Sequence, residues 1–190
     1  MVRMWARVIA PFDRGIEALL IWDTETLQAI SENPLLKRLS FLFLTATYLG
    51  DGYLWGGLAL GLILFGRPVD RTYVLIGLAI TIVNIAVFRL FKLLFGRPRP
   101  VFVPVTLRSR LIDGYSFPSG HATTSFGLVW AIASVYPYLL VQLAAYLVAL
   151  VIGLSRVYLR EHYPLDVIGG ALLGSVVAAY LLPLFGRLLF

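Results

Sequence analysis

The sequence predicts an all-α integral membrane protein: a helical bundle of five transmembrane helices, six if the N-terminal segment also crosses, preceded by an amphipathic stretch. Three observations predict it. Hydrophobic residues make up 59% of the 190-residue chain and charged residues 14%, against about 45–50% and about 25% in soluble domains. Several apolar runs approach the length, about 20 residues, that a helix needs to cross the bilayer core. Backbone polar groups in lipid must also be satisfied within the segment, which makes those runs helices. The chain reads as one membrane-embedded domain over 1–190, with 1–38 at the interface and 39–190 forming the bundle.

Residues 1–38 mix apolar positions (Trp5, Ile16, Leu19, Leu20) with charged ones (Arg3, Arg14, Glu17) at roughly helical spacing. This predicts an interfacial helix broken near Pro11, and no cleavable signal, since no compact apolar stretch is present. Span 1 covers about Leu39–Phe65 and is interrupted by Gly50-Asp51-Gly52. Span 2 covers about Thr72–Leu94, and an Arg- and Pro-rich loop follows to Phe117. Span 3 starts at Ser119 and ends at the turn Tyr136-Pro137-Tyr138. Span 4 covers about Leu139–Val157. Span 5 runs from Pro164 to about Phe185, its end frayed by Pro183. Gly169, Gly170 and Gly174 give span 5 small-residue spacing suited to packing within the bundle. Trp5, Trp22, Trp55, Tyr136 and Tyr138 fit an interfacial belt.

Charge narrows the partners. Sixteen Lys and Arg against ten Asp and Glu leave a net +6, which favours anionic lipid headgroups or phosphates. A nucleic-acid partner is excluded by the lack of a large soluble surface, and no obligate protein partner is evident. The absence of cysteine excludes disulfides and a thiol nucleophile.

Polar residues in or beside membrane spans are costly and usually functional. They fall in three clusters: Lys92 with Arg97-Pro98-Arg99-Pro100, then Pro118-Ser119-Gly120-His121, then Ser155-Arg156 with His162 and Asp166. Chain parity puts the end of span 2, the start of span 3, the end of span 4 and the start of span 5 on one membrane face. All three clusters can therefore meet at one mouth. Lys92, Arg99 and Arg156 suit a dianionic phosphate. Ser119 is a good helix N-cap, and the Gly120 and His121 amides at a helix start make an anion site. His162 and Asp166 stand four apart, so Asp166 can hold the Nδ1 proton of His162 and leave Nε2 as nucleophile. His121 can protonate the leaving oxygen. Glu161 and Asp166 are the acids expected near the histidines, with Arg156 and Arg160 competing for them, and no carboxylate set supports a metal site. Arg89, Arg97, Arg108 and Arg110 keep two readings each, as headgroup contacts or as solvated or paired charges.

These residues resemble the three-part signature of the type 2 phosphatidic acid phosphatase (PAP2) superfamily: K-x6-R-P (Lys92, Arg99-Pro100), P-S-G-H (Pro118 to His121) and S-R-x5-H-x3-D (Ser155-Arg156, His162, Asp166). The match covers residues 92–166, and the chain's two histidines fill both histidine positions. The resemblance implies a membrane-embedded bundle that hydrolyses a lipid phosphate without a metal or other cofactor. It implies His162 as nucleophile through a phosphohistidine, Asp166 as its partner and His121 as general acid. Lys92, Arg99, Ser119, Gly120 and Arg156 would hold the phosphoryl oxygens. Substrate candidates are undecaprenyl pyrophosphate, phosphatidylglycerophosphate, phosphatidate and lipid A 1-phosphate. The alternatives are a lipid phosphotransferase using an acceptor other than water, and a non-enzymatic binder of anionic lipid. The resemblance also implies a bacterial inner (plasma) membrane, with the site on the outer, periplasmic face. A plain count of positive residues points the other way, because the site side holds more of them.

Overall fold

The computed structural model describes residues 2–100 and 114–189, with side chains for 15–100 and 114–185. Those residues form helices joined by short connections, with no strand among them, as the apolar runs dictate. Helix α1 spans Val2–Glu32 and the short α2 spans Pro34–Lys37, capped by the Asn33 side chain. Span 1 divides into α3 (Ser40–Tyr48), a π-helical turn (Leu49–Tyr53) and α4 (Leu54–Phe65). Then come α5 (Pro68–Phe95), α6 (Gly120–Val135), α7 (Leu139–Tyr158) and α8 (Pro164–Leu189).

Four of these segments are long and apolar enough to cross a membrane: Ser40–Phe65, Pro68–Phe95, Leu139–Tyr158 and Pro164–Phe185. The expected third span, α6, falls short of that standard. It has 16 residues, about 24 Å at about 1.5 Å per residue, against a hydrocarbon core of about 30 Å. Its placement explains its composition. It packs against α5, α7 and α8, so Thr123 and Ser125 are buried beside Ala122 and Val129, and the Thr123 hydroxyl donates to the Ser119 carbonyl at 2.8 Å.

The α6–α8 contact is the tightest crossing. A Cβ on Gly174 would lie 1.9 Å from the Thr123 carbonyl oxygen, and one on Gly170 would lie 2.6 Å from that of Ser119. The small residues of span 5 therefore serve packing inside the bundle. Outward faces are apolar: Phe41, Leu60, Leu75, Leu140 and Leu172 are all exposed, as lipid-facing positions should be.

Several expectations need correction. Helix α1 continues through Pro11. An interior proline costs one hydrogen bond and about 3 kcal/mol, which a 31-residue helix anchored further along by buried Asp23 and Leu27 can absorb. Likewise α8 runs through Pro183 to Leu189. In the described part of α1, Asp23 turns inward while Ile16, Leu19, Leu20, Ile21 and Trp22 are exposed. Trp55 and Tyr136 are tied inward as well: the Trp55 indole donates to the Ser125 hydroxyl at 3.1 Å, and the Tyr136 hydroxyl donates to Asp70 at 2.7 Å. The side chains of Arg3, Trp5 and Arg14, and all of Arg108 and Arg110, lie outside the described residues.

Candidate active site

The three polar clusters meet at one end of the bundle, as parity requires. Helix α5 ends at Gly96, in the left-handed region at φ 57°, and turns the chain back over Lys92. The Lys92 side chain is buried, and its ammonium donates to the Tyr115 carbonyl at 2.7 Å. Ser119 occupies the N-cap position of α6, and its amide donates to the Asp166 carbonyl at 2.9 Å. This bond joins the start of α6 to the start of α8. The expected side-chain cap is not made: the Ser119 hydroxyl is fully buried and has no hydrogen-bond partner among the described residues. Gly120 brings the start of α6 against the Phe88 ring, where a Cβ would lie 3.0 Å from Cζ.

The nucleophile candidate sits on the turn between α7 and α8. The Glu161 and His162 amides both donate to the Arg156 carbonyl, at 3.0 and 3.2 Å. His162 is 1% exposed and Asp166 is fully buried. His162 Nδ1 lies 3.6 Å from Asp166 Oδ2, in ion-pair range but longer than a hydrogen bond. Asp166 is held on its other sides by the Tyr163 amide at 2.8 Å and by Arg97 Nη1 at 2.7 Å. Ser155 bonds back to its own helix, donating to the Ile152 carbonyl at 2.6 Å.

Two of the phosphate-binding candidates converge on a carboxylate. Arg99 Nη1 lies 3.2 Å from Glu161 Oε2, and Arg156 Nη2 donates to that same oxygen. The other Arg156 nitrogen, Nη1, donates to the Thr47 hydroxyl of α3. A carboxylate thus stands between two guanidinium groups, the kind of anion these forks recognise along with phosphate. The competition expected from Arg160 does not occur: Arg160 pairs with Glu32 of α1 at 2.7 Å.

Three acids missed as site residues join the candidate set. Asp23, fully buried on α1, accepts from Arg97 Nη2 at 2.5 Å and from the Leu165 amide at 2.8 Å. Arg97 therefore bridges Asp23 and Asp166, with its guanidinium 4.1 Å from the centre of the Tyr163 ring. Burial alone would lower the Arg97 pKa, but the bond to Asp23 and the charge of Asp166 outweigh it and hold it above the ordinary value. Asp51, in the π-helical turn, places Oδ1 2.8 Å from His121 Nε2. Glu161 acts on arginines rather than on His162. Only the Gly-Asp-Gly interruption hinted at Asp51; no sequence signal connects Asp23 to residues 97 and 165.

Beside His121 opens a cavity of about 810 Å³ between α4, α5 and α6. Asp51, Arg89 and His121 line its end on the site face, and Tyr73, Tyr136 and Leu182 line the other end. Its wall between them is largely apolar, with Leu58, Ile63 and Ile85.

A family model described as the PAP2 superfamily matches residues 72–189. Among curated proteins, the chain is 30% identical over 128 residues to undecaprenyl-diphosphatase BcrC of Bacillus subtilis, covering 66% of this chain and 64% of that protein. It is 29% identical over 170 residues to an undecaprenyl-diphosphatase of Sulfolobus acidocaldarius, covering 86% and 79%. It is 36% identical over 93 residues to mouse sphingosine-1-phosphate phosphatase 2, covering 45% of this chain and 26% of that protein. The matched part is thus about a quarter of the mouse protein and just under two thirds of BcrC. Among solved structures, Aquifex aeolicus LpxE superposes with a TM-score of 0.61 at 27% identity, over 84% of this chain and 93% of that one. A PAP2-type phosphatidylglycerolphosphate phosphatase from Bacillus subtilis superposes with a TM-score of 0.68 at 23% identity, over 90% and 87%, a likeness of fold. With the family match covering most of the chain, and four apolar helices arranged as in membrane relatives, this is an integral membrane protein of the PAP2 superfamily.

Proposed function

We propose that the chain is a metal-independent lipid phosphate phosphatase working through a phosphohistidine. One observation carries the reading: three polar clusters, with a buried histidine–aspartate pair and guanidinium groups among them, meet at one end of the bundle, and His121 of the same end lines a largely apolar cavity. The cavity is about 810 Å³, within the roughly 300–1,000 Å³ of small-molecule sites. A tail lies in such a space while its phosphate reaches the cations.

Phosphoryl transfer is mainly positioning and charge stabilisation. Lys92, Arg99 and Arg156 hold the phosphoryl oxygens, with the Gly120 and His121 amides at the helix start and the Ser119 hydroxyl beside them. His162 Nε2 attacks phosphorus, and the bond to the lipid oxygen breaks. That oxygen takes its electron pair and a proton from His121. A water then attacks the phosphohistidine, giving a proton to His121 and releasing phosphate, and His162 is restored. Asp166 orients His162, closing from 3.6 Å to hydrogen-bond length as the ring gains charge. The relatives named undecaprenyl-diphosphatase favour a polyprenyl diphosphate among the candidate lipids. Five crossings, with the shorter α6 as the central one, put the site on one face, which we assign to the outer side of the plasma membrane.

The test is phosphate release from a panel of lipid phosphates in detergent with EDTA and no added acceptor. We expect wild-type turnover, loss of about 10³-fold or more for His162→Ala, and an acid-labile phosphoenzyme in wild type alone. Activity lost in EDTA and restored by Mg²⁺ overturns the metal-free route. Phosphate appearing only when an acceptor alcohol is added identifies a transferase.

A further inference from the structure

We propose that Asp51 is the positioning residue for His121, so that each imidazole of the site works with its own carboxylate. The inference rests on reading His121 as the general acid. His162 has Asp166 four residues on, along the start of one helix. His121 has Asp51 from seventy residues upstream, with Oδ1 2.8 Å from Nε2.

The backbone is shaped for this contact. Residues Leu49–Tyr53 form a π-helical turn inside an otherwise α-helical span, a distortion frequent at functional sites. Gly52 holds φ 113°, a conformation that side chains rarely allow. Gly50 lies flush against the imidazole: a Cβ there would fall 2.9 Å from His121 Cδ2 and 2.8 Å from Ile152 Cγ2. The two glycines bring the chain onto the ring and carry the carboxylate between them to its nitrogen.

Asp51 is not a brace between helices. Its side chain is half exposed, and among the described residues its close polar partner is His121, in an ion-pair contact. Both partners line the polar end of the apolar cavity, where a lipid oxygen would meet a phosphate. The same span reaches a phosphate-binding candidate, since Thr47, four residues before Asp51, accepts from Arg156 Nη1.

The chemistry follows. As the His162–phosphorus bond forms, the phosphorus–oxygen bond to the lipid breaks, and the departing oxygen takes the Nε2 proton of His121. Asp51 is the counter-ion of the protonated ring and fixes Nε2 toward the cavity. The lipid oxygen takes the carboxylate's place at Nε2 during the step. The neutral ring then accepts the proton of the attacking water, which restores the pair. Asp51 therefore matters in proportion to how badly the leaving oxygen needs a proton.

Two substrates with the same long alkyl tail test this: an alkyl phosphate, whose alkoxide is strongly basic, and an alkyl-substituted nitrophenyl phosphate, whose phenolate leaves unprotonated. General acid catalysis contributes about 10²–10⁴-fold. We expect Asp51→Asn to lower kcat on the alkyl ester at least about ten-fold more than on the nitrophenyl ester. His121→Ala should show the same pattern more strongly. The double variant should match His121→Ala alone, because coupled residues are not additive. Equal losses on both esters, no loss on the alkyl ester, or full additivity overturns the proposal. Turnover of the nitrophenyl ester reports folding in each variant. Wild-type activity that survives His162→Ala would instead overturn the phosphatase mechanism, leaving the Asp51 result without that ground.

Discussion

Glu161 stands where Arg99 and Arg156 converge, with one carboxylate oxygen shared between them. A phosphate entering the site must displace it. Partly exposed ion pairs are worth up to about 1 kcal/mol, which is about five-fold in affinity. Glu161→Gln should therefore tighten inhibition by vanadate or inorganic phosphate about five-fold and lower KM by a similar factor. Inhibition curves for the two proteins check this, and unchanged or weaker inhibition would contradict it. The residue scale also shows what the sequence made legible. Lys92, Arg99, Ser119, His121, Arg156, His162 and Asp166 stand in short polar clusters beside the apolar spans, so the sequence marks them as candidates. Asp23, Asp51 and the role of Glu161 depend on partners from other elements. A carboxylate's partner is set by tertiary geometry, and one sequence carries no signal for it.

At the scale of elements, apolar runs marked α5, α7 and α8 well because lipid requires uninterrupted backbone bonding. Their ends followed local chemistry, such as Pro68 and Pro164 at helix starts. What escaped was every place where packing overrides propensity: α1 passing Pro11, α8 passing Pro183, and the π-helical turn behind Asp51. The charge pattern of α1 suits an interfacial strip, yet Asp23 ties the helix into the candidate site through Arg97 and the Leu165 amide. Breaking one side of a buried pair costs about 3–5 kcal/mol. Asp23→Ala should lower the unfolding midpoint in detergent and reduce kcat, because Arg97 then bears on Asp166 alone. Asp23→Asn should be milder, since its amide oxygen still accepts from Leu165. Thermal unfolding followed by tryptophan fluorescence, with kcat measured beside it, tests the order wild type, Asn, Ala. Identical behaviour of both variants and wild type would mean that α1 is dispensable to the site.

For the whole molecule, the side of the membrane on which the site opens follows from how the chain inserts. Counting positive residues favours a cytoplasmic site, since Lys92, Arg97, Arg99, Arg156 and Arg160 all lie on that face. The structure gives those cations another reason to be there. Lys92 is 3% and Arg156 6% exposed, and Arg97, Arg99 and Arg160 each bind a carboxylate. Cations held by an anion inside a folded site say little about which loop stayed behind during insertion, so the count does not weigh against the outer face proposed above. The absence of cysteine makes the assignment measurable. Glu32 on the site face and Arg67 on the opposite one have side chains 65% and 64% exposed. Glu32→Cys should react with a membrane-impermeant maleimide in intact cells, and Arg67→Cys only after lysis. The reverse pattern would put the site in the cytoplasm. Labelling of both from one side would mean that α3–α4 does not cross, and the bundle's parity, which gathers three polar clusters at one mouth, would fail with it.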